Sequence, residues 1–455
     1  MFSCDTMVLP AAFGVYGQNM LVKNSDRPTG EPQPLCFYPA ATHGPADTVK
    51  TTYLTIPQVA HTYAVIGSRP YWIFGFEMGY NECGLVIGNE AEGSRLPADE
   101  ADGLLGMDML RLALERAATA REGIDVITGL LSTYGQKANA CTLFHRTYEN
   151  SFILADAREC WVLETAGREW AAKQIHTPKG ISNCYSIGEG FDLCSENLER
   201  IAREHRFLSP DEPFDFAKAY SGRLVGQPFG VQRYRRLNEL LALRERHDFS
   251  SLAAIFRDHF EGALIEPRFG GTCGTFMSVC MHMRDFGESE TSASLLTRID
   301  GELGIIGRYA PAQPCLSAYI PVYMTALPER MERAERSYDA TSLWWQAKRM
   351  SLLAAVDEER FAPALREKLA VLEAHFAEEA EATEAKARAL KRAGDEEGAK
   401  AALASLTARC ADELYELAKR EADALAAAIR EMGGLYGRQK EAIEAYATYA
   451  EMPLS

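Results

Sequence analysis

Cys4 opens the run CDTMVL, whose later residues are apolar enough to enter a sheet and hold a nucleophile in place against end fraying. A cysteine whose preceding peptide bond has been cut carries a thiol and a free α-amine on one carbon, and an amine of pKa about 8 serves as the local base. This chemistry needs a carboxylate to orient the amine, a cation to favour thiolate, and amide or backbone N–H donors for a tetrahedral oxyanion. The run MLVKNSDRP, 20–28, packs Lys23, Asn24, Asp26 and Arg27 into five positions after an apolar start. A hairpin joining it to TMVLP would carry these residues to Cys4. Asn, Ser, Asp and Pro also build ordinary polar turns, so spacing alone leaves both a site and a turn open.

The elements that must position these residues follow from patterning. Up to about residue 95, short β-branched and aromatic runs (TTYLTIP, TYAVIGS, GLVIGN) bounded by Gly, Pro and Asn read as strands. Residues 103–134 carry apolar positions at three- and four-residue spacing and predict one or two amphipathic helices. SFILADAREC and CWVLETAGREWAAKQI read as neighbouring strands, helical patterning returns at 193–207 and 231–260, and GTFMSVCMHMR and SAYIPVYM read as strands. Beyond about 340, Ala, Glu, Lys, Arg and Leu dominate; this predicts about three solvated helices punctuated by Gly394 and Gly433-Gly434. The domain expectation is therefore 1–340 with a helical extension, 341–455, as a cover or as a contact between copies of the chain.

Bulk properties narrow the function classes. The 455 residues are 47% hydrophobic, enough for a sizeable core, and a formal charge of −16 argues against nucleic acid or an anionic membrane as partner. No apolar run is long enough to span a bilayer and no secretory signal pattern is present, so the expected compartment is the cytoplasm. The eleven cysteines contain no CxxC pair, and their spacing signals no His/Cys ligand cluster. No metal and no cofactor is expected, and most cysteines should be buried and inert. His145 and His282 lie in apolar runs and read as core histidines, and the glycines of GFEMGYN and GLVIGN read as turn geometry.

SCDTMVLP followed by KNSDRPTGEPQ resembles the opening of the secernin and bacterial dipeptidase family of cysteine N-terminal nucleophile hydrolases. WVLETAGREWAAKQIHTPKGISNCYSIG, GTCGTFMSVCMHMR and QPCLSAYIPVYM resemble later blocks of that family in the same order, so the likeness covers about residues 3–350. It implies an α+β fold, a four-layer αββα sandwich of two antiparallel sheets, and hydrolysis of small peptides or N-acyl amides after removal of residues 1–3. It also implies that Asp26 contacts the freed amine, that Asn183 helps form the oxyanion hole, that Asn89 contributes to that hole or to substrate contact, and that Arg233 lies near the nucleophile. Lys23 stands where the related acylases carry arginine, as in dipeptidase-like members; with Arg27, which can receive a peptide's carboxylate, it favours the peptidase side. A non-catalytic binding or regulatory protein and an acyltransferase share these residues and stand as alternatives.

Overall fold

The computed structural model describes residues 4–97, 103–222, 229–263, 278–283, 285–437 and 439–454. Met1-Phe2-Ser3 and Cys273, which figured in the sequence reading, lie outside them. The chain divides into two compact units, Met1–Lys23, Tyr38–Gly67 and Trp72–Ile255 in the first, Asn24–Phe37, Ser68–Tyr71 and Phe256–Ser455 in the second.

In the first unit, β1 (Cys4–Leu9) is followed by the start of β2 (Met20–Pro28), its neighbour in the sheet. All six residues of β1 and all nine of β2 are buried, polar ones included. Apart from Leu35–Tyr38 and short two-stranded pairings within 41–62, the strands that follow are β3 (Val65–Ser68), β4 (Met78–Asn81), β5 (Val86–Glu92), β6 (Glu149–Ala155), β7 (Cys160–Ala166), β8 (Glu169–Gln174), β9 (Lys179–Ile181) and β10 (Leu193–Cys194). β9 pairs antiparallel with β1, Thr6 opposite Ile181. The others form a sheet in the order β10-β8-β7-β6-β5-β4-β3. Its meander is the one the sequence suggested: Ile153 lies opposite Val162, and Leu163 opposite Ala172.

Two helices, α1 (Gly106–Arg116) and α2 (Ala120–Tyr134), realise the three-and-four spacing. Thr119 starts α2 by accepting the Glu122 N–H at 3.2 Å, and Gly135, at φ 71°, ends it. Leu110, Leu114, Ile124, Ile127 and Leu131 bury one helical face against Ile87, Phe152, Leu154 and Leu163 of the sheet. The opposite face of that sheet meets the first: Gly88 of β5 looks onto Thr6 of β1 and Lys23 of β2. Helix α3 (Phe229–Ala242) packs on β9 and β1. The expected succession of helix, sheet, sheet and helix is thus present in this unit.

The second unit holds the rest of β2 together with β11 (Ser289–Asp300), β12 (Gly304–Pro311) and β13 (Ile320–Tyr323), antiparallel with Leu295 opposite Tyr309 and Gly307 opposite Val322. After the short helix Glu329–Glu332 come four longer ones, α4 (Leu343–Ala354), α5 (Glu358–Arg392), α6 (Glu396–Glu431) and α7 (Lys440–Ala450). Gly394, at φ 82°, ends α5, and Asp395 caps α6 by accepting the Gly398 N–H at 2.8 Å. The α5–α6 pair carries a buried charge: Glu384 takes Arg298 at 2.6 Å, Arg308 at 3.1 Å and the Tyr323 hydroxyl at 3.0 Å. The face predicted to be solvated is there docked onto β11, β12 and β13. Among the described residues no helix is long and apolar enough to cross a membrane.

Candidate active site

Cys4 is the first residue of β1 and only 4% exposed. Its backbone N–H donates to Asn183 Oδ1 at 3.0 Å. Arg233, on the first turns of α3, donates from Nη2 to the same oxygen at 2.7 Å and from Nη1 to the Cys4 carbonyl at 3.0 Å and to Asp5 Oδ2 at 2.8 Å. Gly230 makes this possible, since a Cβ there would sit 2.4 Å from the Asn183 carbonyl oxygen. The missing side chain brings the helix, and with it the guanidinium, onto the Asn183 backbone. Two backbone groups of Cys4 are thereby fixed through one buried cation.

The thiol side is governed by Lys23. Its ammonium is fully buried, lies 3.6 Å from Glu90 and 3.9 Å from Glu77, and donates to the Asn89 carbonyl. Burial opposes its charge, but the Cys4 thiolate, Glu90 and Glu77 outweigh burial and hold Lys23 above the ordinary lysine range. Gly88 gives the stem its room, because a Cβ there would come within 3.0 Å of Lys23 Cδ. A buried ammonium in contact with a thiol favours the thiolate.

Burial also shifts carboxyls of β1 and β5. Burial, against the pull of Lys23, pushes Glu90 up to about 8 from 4.5. Burial likewise raises Asp5 against Arg233, and burial together with Glu164 and Glu90 raises Glu92. For Glu90 the sign is fixed: folding raises its affinity for a proton, so its stabilising contribution is complete below about pH 4.5 and lost as pH rises through about 8. Glu90→Gln should therefore flatten the fall of unfolding free energy across that window, gaining on the parent chain above about pH 8; equal slopes in denaturant titrations would refute the assignment.

The structure brings Cys4, Lys23, Asn89, Asn183 and Arg233 together in the first unit. Asn183 differs from the oxyanion donor implied by resemblance: its Nδ2 donates to the Ala91 carbonyl at 2.7 Å, and its oxygen faces Cys4 and Arg233. Asn89 turns its backbone carbonyl, not its amide, to Lys23. Asn24, Asp26 and Arg27 belong to the second unit. There Asn24 donates to the carbonyls of Phe256 and Val279 at 2.8 and 2.9 Å, Asp26 accepts from the Thr291 hydroxyl at 2.6 Å, and Arg27 forks onto Glu31 at 2.9 and 2.6 Å. Sequence reasoning missed Asp5, Glu77, Glu90 and Glu92. For Asp5, Glu90 and Glu92 the signal available was a charged residue inside the strands CDTMVL and VIGNEAE, since such residues stay buried only with partners. The expectation of inert packing thiols holds at Cys160, where burial lifts the thiol to about 12, and at Cys184, where burial, Glu92 and Glu164 raise it.

Residues 50–227 match the model of Peptidase family C69. That segment contains Asn89 and Asn183, with Cys4 and Lys23 before it and Arg233 after it. The chain is 24% identical to "Probable dipeptidase B" of Lactococcus lactis over 274 residues, 52% of this chain and 55% of that protein. It is 25% identical to "Dipeptidase" of Bifidobacterium longum over 253 residues, 47% of this chain and 45% of that protein. The chain thus spans about half the length of the curated relatives it matches. Among solved structures, a variant of conjugated bile acid hydrolase from Clostridium perfringens aligns with a TM-score of 0.38 at 14% identity, covering 68% of this chain and 89% of that one. The dipeptidase resemblance read from the sequence is borne out by the C69 match and these relatives.

Proposed function

We propose that the chain hydrolyses amide bonds of small peptides with Cys4 as an N-terminal nucleophile. The observation that carries this reading is the fixing of the Cys4 nitrogen by Asn183, 3.0 Å away, beside a thiol faced by the Lys23 ammonium. Hydrolysis of the Ser3–Cys4 bond converts that nitrogen into an amine held by the same carboxamide oxygen. The amine takes the thiol proton, the thiolate adds to the substrate carbonyl, and the proton passes to the departing amine as the C–N bond breaks. Water, deprotonated by the same amine, then cleaves the thioester and releases the acid. Lys23 adds positive potential for thiolate and oxyanion, and Arg233 positions Asn183 and the Cys4 carbonyl. The dipeptidase relatives make dipeptides the first substrates to try.

Intact mass tests the first step. Wild-type protein should begin at Cys4, while Cys4→Ala should retain the residues ahead of it. A wild-type chain that keeps Ser3 has no free amine and would sink this mechanism, leaving the non-catalytic alternative. Free acids as products distinguish hydrolysis from acyl transfer to an amine.

A further inference from the structure

His259, Cys280, His282 and Cys315 come from three separate stretches of the second unit, yet their ligand atoms all lie within 4.8 Å of one another. His259 Nε2 is 3.2 Å from His282 Nε2, and His282 Nε2 is 3.2 Å from Cys315 Sγ and 3.7 Å from Cys280 Sγ. Tetrahedral zinc, with bonds of about 2.0 Å to nitrogen and 2.3 Å to sulfur, requires ligand separations of roughly 3.3 to 3.8 Å. The observed distances fall around that range.

We propose that these four side chains form a structural zinc site. The donor set selects the metal, because two thiolates and two imidazoles in a four-way cluster suit tetrahedral zinc. Charge agrees: a divalent ion with two thiolates is neutral overall, which a site this buried can hold at little electrostatic cost. As the ion enters, Cys280 and Cys315 each lose their thiol proton to solvent and no redox change occurs. The surroundings are those of a ligand shell. His259 Nδ1, on the far side of the ring from the cluster, is 2.9 Å from Glu261 Oε1, and Glu261 Oε2 also accepts the His259 backbone N–H at 2.6 Å.

Cys280 and His282 sit on the stretch leading into β11, where the Met281 N–H meets Thr291 Oγ1 at 2.8 Å and the Met281 carbonyl accepts the Thr291 N–H at 3.0 Å. Cys315 lies in the turn Pro314–Leu316 after β12, and Arg257, two residues before His259, donates to the Pro314 carbonyl at 2.8 Å. With four protein ligands no position is left for substrate, so the ion clips the approach to β11 onto the turn after β12. Spacing hid the site: CxH, with the other His 21 residues upstream and the other Cys 33 residues downstream, matches no contiguous zinc signature.

The test is element analysis of the full chain together with cobalt substitution. A single zinc ion per chain is expected. It should be lost in Cys280→Ser/Cys315→Ser, retained in Cys410→Ser, and bound about 10- to 100-fold more weakly by Glu261→Gln. If the double variant does not fold, the parent chain still decides: cobalt-loaded protein should show thiolate-to-cobalt charge-transfer absorption with tetrahedral visible bands. Zinc unchanged in the folded double variant, cobalt spectra without sulfur charge transfer, or a Cys280–Cys315 disulfide in the purified chain would each overturn the site.

Discussion

Cys4→Ala should lower dipeptide hydrolysis by about ten-thousand-fold or more at saturating substrate, with unfolding free energy within about 1 kcal/mol of the parent chain. The two expectations are separable because the contacts that fix β1 use the Cys4 N–H and carbonyl, which alanine keeps. The variant should also fail to acquire label from a thiol-directed acylating substrate analogue. A variant that retains more than about a tenth of parent turnover would move the nucleophile elsewhere.

Lys23→Met is the second large effect, and it acts twice. Removing the ammonium that faces Glu77 breaks a buried ion pair, at a cost of about 3 kcal/mol or more in denaturant unfolding. The same loss makes the thiol harder to ionise, so the acid limb of kcat/KM should move upward by roughly one pH unit and turnover near neutrality should fall about a hundred-fold. Lys23→Arg keeps the charge and should recover part of the activity, limited by the narrow space over Gly88. A purely structural lysine would show the stability loss without the moved pH limb.

Much of this arrangement was legible before the structure. The meander of β6, β7 and β8 followed from runs of apolar, β-branched and aromatic residues, and the helical end followed from composition. Cys4, Lys23, Asn183 and Arg233 were named from a motif and a resemblance, and they meet through hydrogen bonds. The direction of those bonds was not legible. Which atom of the Asn183 carboxamide faces Cys4 depends on Arg233, 50 residues away, arriving on a helix admitted by Gly230. The buried carboxyls escaped for a related reason: Glu90 reads as a surface residue until a second sheet is laid over Gly88. The His/Cys cluster escaped because its members become neighbours only when β11 and β12 pair.

One feature of β2 bears on how the molecule is made. The residues from Asn24 onward are synthesised early, but Asn24 bonds to Phe256 and Val279, and Asp26 to Thr291, 232 to 265 residues later. At about 5–20 residues per second, a strand carrying an uncovered Asp and Arg waits on the order of ten to fifty seconds for the chain that will bury it. Its polar groups stay hydrated during that interval, which keeps the waiting strand from pairing with other nascent chains. The same charges that a finished core must neutralise therefore serve as solubilisers on the ribosome.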